Sequence, residues 1–233
     1  MNNSIEYDVA IVGGGIVGAS LACLLANTSL RIALVDRQLF DDYAIPVTQV
    51  QPKFDARVSA ITAVSRNLFD QMGLWDDIAA MRCCGYSNMH VWDADGTGSV
   101  SFSAEDVNQL ELGNIVENSV ILSALYKRLD SIAHVDLIAP FSIDTFHRDQ
   151  GANKITLRST EGNNLTAKLL VAADGASSKV RELAEFATKE WDYNHLALVT
   201  TVKTEIAHRN TAFQRFMTTG PLAFLPLAES ASD

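Results

Sequence analysis

Apolar residues along this chain come in short runs broken by glycine turns, and the first block, residues 5–37, sets the pattern. Val9, Ala10, Ile11 and Val12 form an apolar run that predicts a strand. It opens into Gly13-Gly14-Gly15-Ile16-Val17-Gly18. Residues 19–26 then predict a helix, residues 30–35 a second strand, and Asp36 closes the unit. Strand, glycine turn, helix, strand and acid together make one βαβ-sized block.

Beyond it, a polar loop holding Asp41, Asp42, Pro46 and Pro52 leads through residues 54–61 to a helix near 62–72. There Val64, Leu68 and Phe69 fit an apolar stripe, Ser65, Arg66 and Asn67 a wet side, and Gly73 a stop. Residues 74–81 predict a further short helix. Residues 86–92 and 99–102 predict two strands joined by the turn 93–98. A helix over 119–129 follows, then strands at 135–138, 141–147, 154–158 and 165–172, with turns at 149–151 and 161–164. Residues 178–183 read as helix, and 196–202 and 213–227 as strand-rich.

Composition narrows the class. The chain has 233 residues, 48% hydrophobic and 20% charged, an ordinary globular balance. That length suits one large domain or two small ones. The formal charge is −10 and no basic run occurs, so nucleic acid is excluded as the expected partner. The first seven residues lack the basic and apolar regions of a secretory signal, and no apolar run approaches the ~20 residues that span a bilayer. Cys23, Cys83 and Cys84 have no metal-ligand spacing, and read as reduced cysteines of a cytoplasmic protein.

The glycine turn carries the first chemistry. Gly13 permits a tight turn, Gly15 lets a pyrophosphate approach the backbone, and Gly18 lets helix pack on strand. Gly14 lies between them. The helix N-terminus turns free N–H groups and partial positive charge toward phosphates. Asp36, 18 residues after Gly18, is placed to accept hydrogen bonds from ribose hydroxyls. The expectation is dinucleotide binding, with FAD, NAD and NADP all compatible. Arg37 reads as a partner for an NADP 2′-phosphate, which Asp36 would repel, or as a residue along an adenine face or in solvent.

A second apolar strand, Leu169 onward, delivers Asp174-Gly175 at its end, with Ser178 and Arg181 following. Strand ends of this kind line ligand crevices in open α/β sheets, and the same residues also suit a plain turn with a helix cap. His90, His134, His147, His195 and His208 are scattered and read as ordinary histidines rather than catalytic bases. Trp92, Trp191 and Phe224 read as core residues first and as lining of a substrate cavity second. No metal site is expected.

Four motifs together resemble the class A FAD-dependent aromatic hydroxylases: Gly13-x-Gly15-x-x-Gly18, Asp55-x-Arg57-x-x-Ala60-Ile61, Gly113-Asn114-Ile115-Val116-Glu117-Asn118 and Asp174-Gly175-x-x-Ser178-x-x-Arg181. Residues 89–93, 115–120 and 191–199 narrow the likeness to the ubiquinone-biosynthesis hydroxylases, nearest their 2-octaprenylphenol hydroxylase branch. The resemblance implies an α/β fold: a Rossmann-like FAD-binding domain at 1–82 and 114–185, with β-sheet substrate-domain strands at 83–113 and 186–233. It implies that Gly13, Gly15, Gly18 and Asp36 hold the ADP half of FAD, with Gly14 and Arg37 also among the cofactor-binding residues. Arg57 would reach the pyrophosphate or flavin side, and Asp174 and Gly175 would contact FAD and accommodate the nicotinamide donor. Arg181 reads equally as a structural partner of a carboxylate.

By the same resemblance, NAD(P)H is the co-substrate and O2 the oxidant, and the substrate is a polyprenylated phenol hydroxylated on its ring. That substrate implies contact with the inner-membrane surface or with a ubiquinone-biosynthesis complex. The family usually has Glu where Asp36 stands, and continues past residue 233 through a Gly-Asp motif that this chain lacks after Arg181. The expectation is therefore an N-terminal fragment, both domains incomplete, inactive alone and weak in FAD retention. The competing readings are another FAD- or NAD(P)-dependent oxidoreductase of the same fold, and a non-catalytic nucleotide-binding scaffold.

Overall fold

A computed structural model describes residues 6–40 and 54–228. The loop expected around Asp41, Asp42, Pro46 and Pro52 lies outside the described residues. The chain packs as two compact units, Met1–Pro46 with Leu122–Glu190, and Val47–Ile121 with Trp191–Asp233.

The first unit is built on six strands: β1 (Glu6–Val12), β2 (Ile32–Val35), β8 (Val135–Ile138), β9 (Ile143–Asp149), β10 (Lys154–Ser159) and β11 (Asn164–Ala172). Their order is β8-β2-β1-β11-β10-β9. The β8, β2, β1 and β11 strands run parallel, and β10 and β9 extend the sheet antiparallel. β1 and β2 are central and parallel, so Val9 to Val12 and Ile32 to Val35 are all buried. That is why they read as unbroken apolar runs rather than as alternation. Helix α1 (Ile16–Leu24) links β1 to β2 and buries its small residues Gly18, Ala19, Ala22 and Cys23. Helix α1 starts three residues before the predicted 19–26, because Gly15 is already its N-cap and its carbonyl accepts the Ala19 N–H at 3.0 Å.

The second unit holds β3 (Val58–Ile61), α2 (Ala63–Gln71), α3 (Trp75–Met81), β4 (Cys83–Tyr86), β5 (Asn88–Asp93), β6 (Ser99–Ser103), β7 (Gly113–Glu117), β12 (Thr211–Met217) and β13 (Gly220–Phe224). β3, β7 and β4 form one antiparallel sheet, and β13, β12, β5 and β6 form a mixed one, parallel between β12 and β5 and antiparallel at its two outer pairs. Helix α4 (Asn118–Leu129) begins in this unit and ends in the first, where α5 (Lys179–Leu183) follows β11.

Three expectations are corrected. The strand predicted over 86–92 is two strands in two sheets, with Ser87 between β4 and β5. In the stripe predicted on α2, only Phe69 is buried, whereas Val64 is 79% exposed. Residues 196–202 form no strand, since a strand needs a ladder partner and none is paired with them. Leu196 and Leu198 are each 97% exposed.

Candidate functional site

The parallel strands β2, β1 and β11 deliver Asp36, the glycine turn and Asp174 to one edge of the first sheet. Val12 pairs with both Val35 and Ala172, which sets the three strand ends level. β2 lies on one side of β1 and β11 on the other. The strand order therefore switches sides at β1, with β2 and β8 on one flank and β9 to β11 on the other, and open α/β sheets place their ligand crevice at such a switch.

Each glycine does something different. Gly13 has φ +109°, and a Cβ there would collide with the Ala173 carbonyl oxygen and lie 2.7 Å from the Asp174 nitrogen. Its N–H donates to the Val35 carbonyl at 2.8 Å, while Ala173 N–H donates to the Val12 carbonyl at 2.7 Å. The turn is thus pinned between the ends of β2 and β11. A Cβ at Gly18 would strike the Gly13 carbonyl, so the absent side chain lets α1 pack on β1. At Gly14 a Cβ would stand 2.8 Å from the Phe40 ring and 2.5 Å from the Tyr126 hydroxyl oxygen. That hydroxyl donates to the Gly14 carbonyl, and the two rings lie 5.2 Å apart. Gly15 differs: a Cβ there would meet nothing within 4 Å. The space beside it is open, at the start of a helix with no acid in its first turn. An anionic diphosphate fits that combination.

Asp36 is buried, and its carboxylate accepts the Gly14 N–H at 2.6 Å and the Gln38 N–H at 2.8 Å. It ties the glycine turn to the end of β2, a role the spacing alone did not reveal. Each oxygen keeps a lone pair for a hydroxyl donor. Arg37 is exposed.

Asp174 accepts from the Ser178 hydroxyl at 2.5 Å and from the Val180 N–H at 3.1 Å. Ser178 in turn caps α5, accepting the Arg181 N–H at 3.0 Å. The carboxylate therefore organises the helix start. The Arg181 guanidinium donates to the Ala176 carbonyl at 2.6 Å, a main-chain partner rather than a carboxylate. Gly175, φ +86°, has nothing within 4 Å of a built Cβ and lines an open pocket of about 260 Å³ with Asp174, Ser178, Arg181 and Phe186.

Arg57 belongs to the second unit, where its side chain is exposed. That unit contains a buried polar cluster to which the sequence pattern gave no role: Glu117 at the end of β7 forms an ion pair with Arg82, 2.7 Å from Nε to Oε2. Burial is the main cause pushing the Glu117 carboxyl up, against the lowering effects of the Asp55 N–H and Arg82. Glu117 directly follows Ile115 and Val116 on a strand buried along its whole length.

Trp92, Trp191 and Phe224 lie outside the buried core expected for them. Trp191 is 65% exposed, Phe224 is exposed, and Trp92 stacks on His90 with centroids 5.2 Å apart. The strand register puts Phe224, Phe213 and His90 on one row of the four-stranded sheet, and Leu222, Arg215 and Trp92 on the next but one. His90 is hydrogen-bonded to the Ser101 hydroxyl at 2.8 Å. Among the described residues no group of His, Cys, Asp and Glu is placed to hold a metal, and no helix is long and apolar enough to cross a membrane.

Comparison with known proteins follows the same lines. Residues 6–221 match the family described as FAD binding domain. The mitochondrial ubiquinone biosynthesis monooxygenase COQ6 of Xenopus tropicalis is 34% identical over 241 residues, covering 97% of this chain and 50% of the relative. The 3-demethoxyubiquinol 3-hydroxylase of Escherichia coli K12 is 35% identical over 223 residues, covering 96% of this chain and 55% of the relative. A crystal structure of a Pseudomonas aeruginosa PqsL variant shares the fold with a TM-score of 0.67 at 22% identity, over 81% of this chain and 48% of that one. The chain spans about half the length of the curated relatives it matches.

Proposed function

We infer, from the premise that this chain belongs to the FAD-binding domain family, that its protein is a flavoprotein monooxygenase which hydroxylates the aromatic ring of a polyprenylated phenol, using NAD(P)H and O2. The observation that carries the reading is the abutment of Gly13 on Ala173 and Asp174 at the β1–β11 edge. The glycine turn and the Asp-Gly strand end lie side by side at one edge of the sheet, as a dinucleotide stretched between them requires. The names of the two relatives supply the ring and the pathway class.

In this reading Gly13, Gly14, Gly15 and Gly18 form the turn that receives the diphosphate, beside the α1 N-terminus. Asp36 holds that turn through Gly14 and offers its remaining lone pairs to the ribose. Arg37, exposed after Asp36, lies along the adenosine half. Gly175, open at the β11 end, lets main chain approach the cofactor, while Asp174 fixes that chain by capping α5. Arg57 supplies a guanidinium to the phosphates. Bound FAD supplies the redox chemistry and the activation of O2. The protein's share is to position the phenol, exclude water and favour the phenolate. The strands of 83–113 and 186–233 serve the substrate, with residues 1–82 and 114–185 serving FAD. A polyprenyl tail brings a cytoplasmic protein to the membrane surface, alone or within a biosynthetic complex.

The test is the full-length protein. It should purify yellow or load with FAD, and should couple NAD(P)H oxidation to O2 uptake with a hydroxylated polyprenylphenol as product. A colourless protein that cannot be loaded removes the flavin reading. NAD(P)H oxidation with FAD bound but no hydroxylated ring would make it another oxidoreductase.

A further inference from the structure

We propose that the buried Glu117–Arg82 pair is the positioning device for Arg57, fixing the loop that carries this guanidinium. The inference rests on the reading of Arg57 as an FAD ligand given above. Glu117 is 1% exposed, yet it carries a carboxylate. Arg82, at the end of α3, meets it through Nε at 2.7 Å and donates from Nη2 to Oε1 at 3.0 Å. The same Oε1 accepts the main-chain N–H of Asp55. The Asp55 carboxylate then accepts the N–H of Arg57 at 2.9 Å and the N–H of Ser119 at 3.3 Å. The Arg57 carbonyl accepts the Asn118 N–H at 2.9 Å.

The backbone of Arg57 is therefore held at both its N–H and its C=O, and each hold traces back to the end of β7. The guanidinium of Arg57 is the opposite case. It is exposed and has no hydrogen-bond or ion-pair partner among the described residues. A rigid main chain carrying an uncommitted cation is the arrangement a phosphate site needs. It lowers the ordering cost of engaging a long side chain. The buried pair is a poor source of net stability, because desolvating two charges offsets their attraction. Burial accordingly pushes Glu117 up despite Arg82. What the pair supplies is fixed geometry at Asp55, and through Asp55 at Arg57.

The experiment titrates FAD into the full-length apoprotein, following flavin fluorescence, with unfolding temperature recorded for each variant. Arg57→Ala should weaken FAD binding by roughly tenfold, and Glu117→Gln and Arg82→Leu by a similar factor. Arg82→Lys keeps the cation and should restore most of the affinity. In the Arg57→Ala background, Glu117→Gln should add no more than about twofold, because it acts through Arg57. Should Glu117→Gln fail to fold, Asp55→Ala breaks the last link without touching the buried pair, and must show the same dependence on Arg57. Wild-type affinity in Arg57→Ala would overturn both this inference and the ligand reading beneath it. A loss in Arg57→Ala, with Glu117→Gln and Asp55→Ala either neutral or equally harmful with and without Arg57, would overturn the positioning role and leave the ligand reading standing.

Discussion

A methyl group added at Gly15 meets open space, whereas one added at Gly13 meets the Ala173 carbonyl at a φ of +109°. The two substitutions should therefore separate binding from folding. Gly15→Ala should leave urea stability within about 0.5 kcal/mol of wild type while weakening FAD binding at least about tenfold. Gly13→Ala should cost about 1–3 kcal/mol of stability. Equal destabilisation by both would show that Gly15 is a structural glycine. A second residue-scale prediction concerns alkaline pH. Burial pushes the Cys23 thiol up to about 12, and burial together with Asp136 pushes Tyr7 up to about 12. Both groups are favoured protonated in the fold. Below about pH 8 both states keep these protons and stability is complete. As pH rises from there toward 12, the unfolded chain releases protons that the folded chain retains, so stability falls. Urea midpoints measured from pH 8 to 11 should decline steadily, and Cys23 should resist maleimide at pH 8 until urea is added. Labelling of native Cys23 at the rate of a free thiol would contradict its burial.

Helix α5 has only five residues, too few to persist on propensity alone. Its start is fixed by Ser178, and Ser178 by Asp174. Ser178→Ala should cost about 1 kcal/mol by urea unfolding, as loss of an N-cap does. Ser178→Thr should recover most of it, and no loss in the alanine variant would mean the cap is unimportant. The same element tells what the sequence could convey. Asp174, Ser178 and Arg181 were visible at helix-cap spacing and the cap is present, so local chemistry sufficed there. It failed for residues 86–92, where one strand-like stretch hides a change of sheet at Ser87. It failed again for Val64 on α2, because periodicity specifies which residues share a face but not whether anything covers it.

At the scale of the molecule, the net charge of −10 opposes anionic surfaces. If a polyprenyl substrate brings the protein to membranes, the attraction is apolar. Sedimentation with vesicles should be no greater for anionic than for zwitterionic lipid at low salt, and should change little when salt is added. Salt-sensitive recruitment by anionic vesicles would point to a local basic surface instead. The first sheet is also where distant parts of the chain become neighbours. β11 is sequence-remote from β1, yet Glu6 pairs with Thr166 and Val12 with Ala172. The candidate crevice exists only because that pairing is parallel and in this register.

The amino-acid order by itself determined the βαβ opening, the spacing of Gly13, Gly15, Gly18 and Asp36, the Asp174-Gly175 strand end and the likeness to the flavin hydroxylases. Those features are local, written in steric rules that span a turn or two of chain. Three things were decided by tertiary structure. Asp36 is committed to the Gly14 N–H. Tyr126, from α4, clasps the Gly14 carbonyl. Glu117 reaches Arg82 and Asp55 across 35 and 62 residues of sequence. Hydrogen bonds between such remote positions carry no spacing that a reader of one sequence can detect, since their partners are set by how strands align and not by how far apart they stand along the chain.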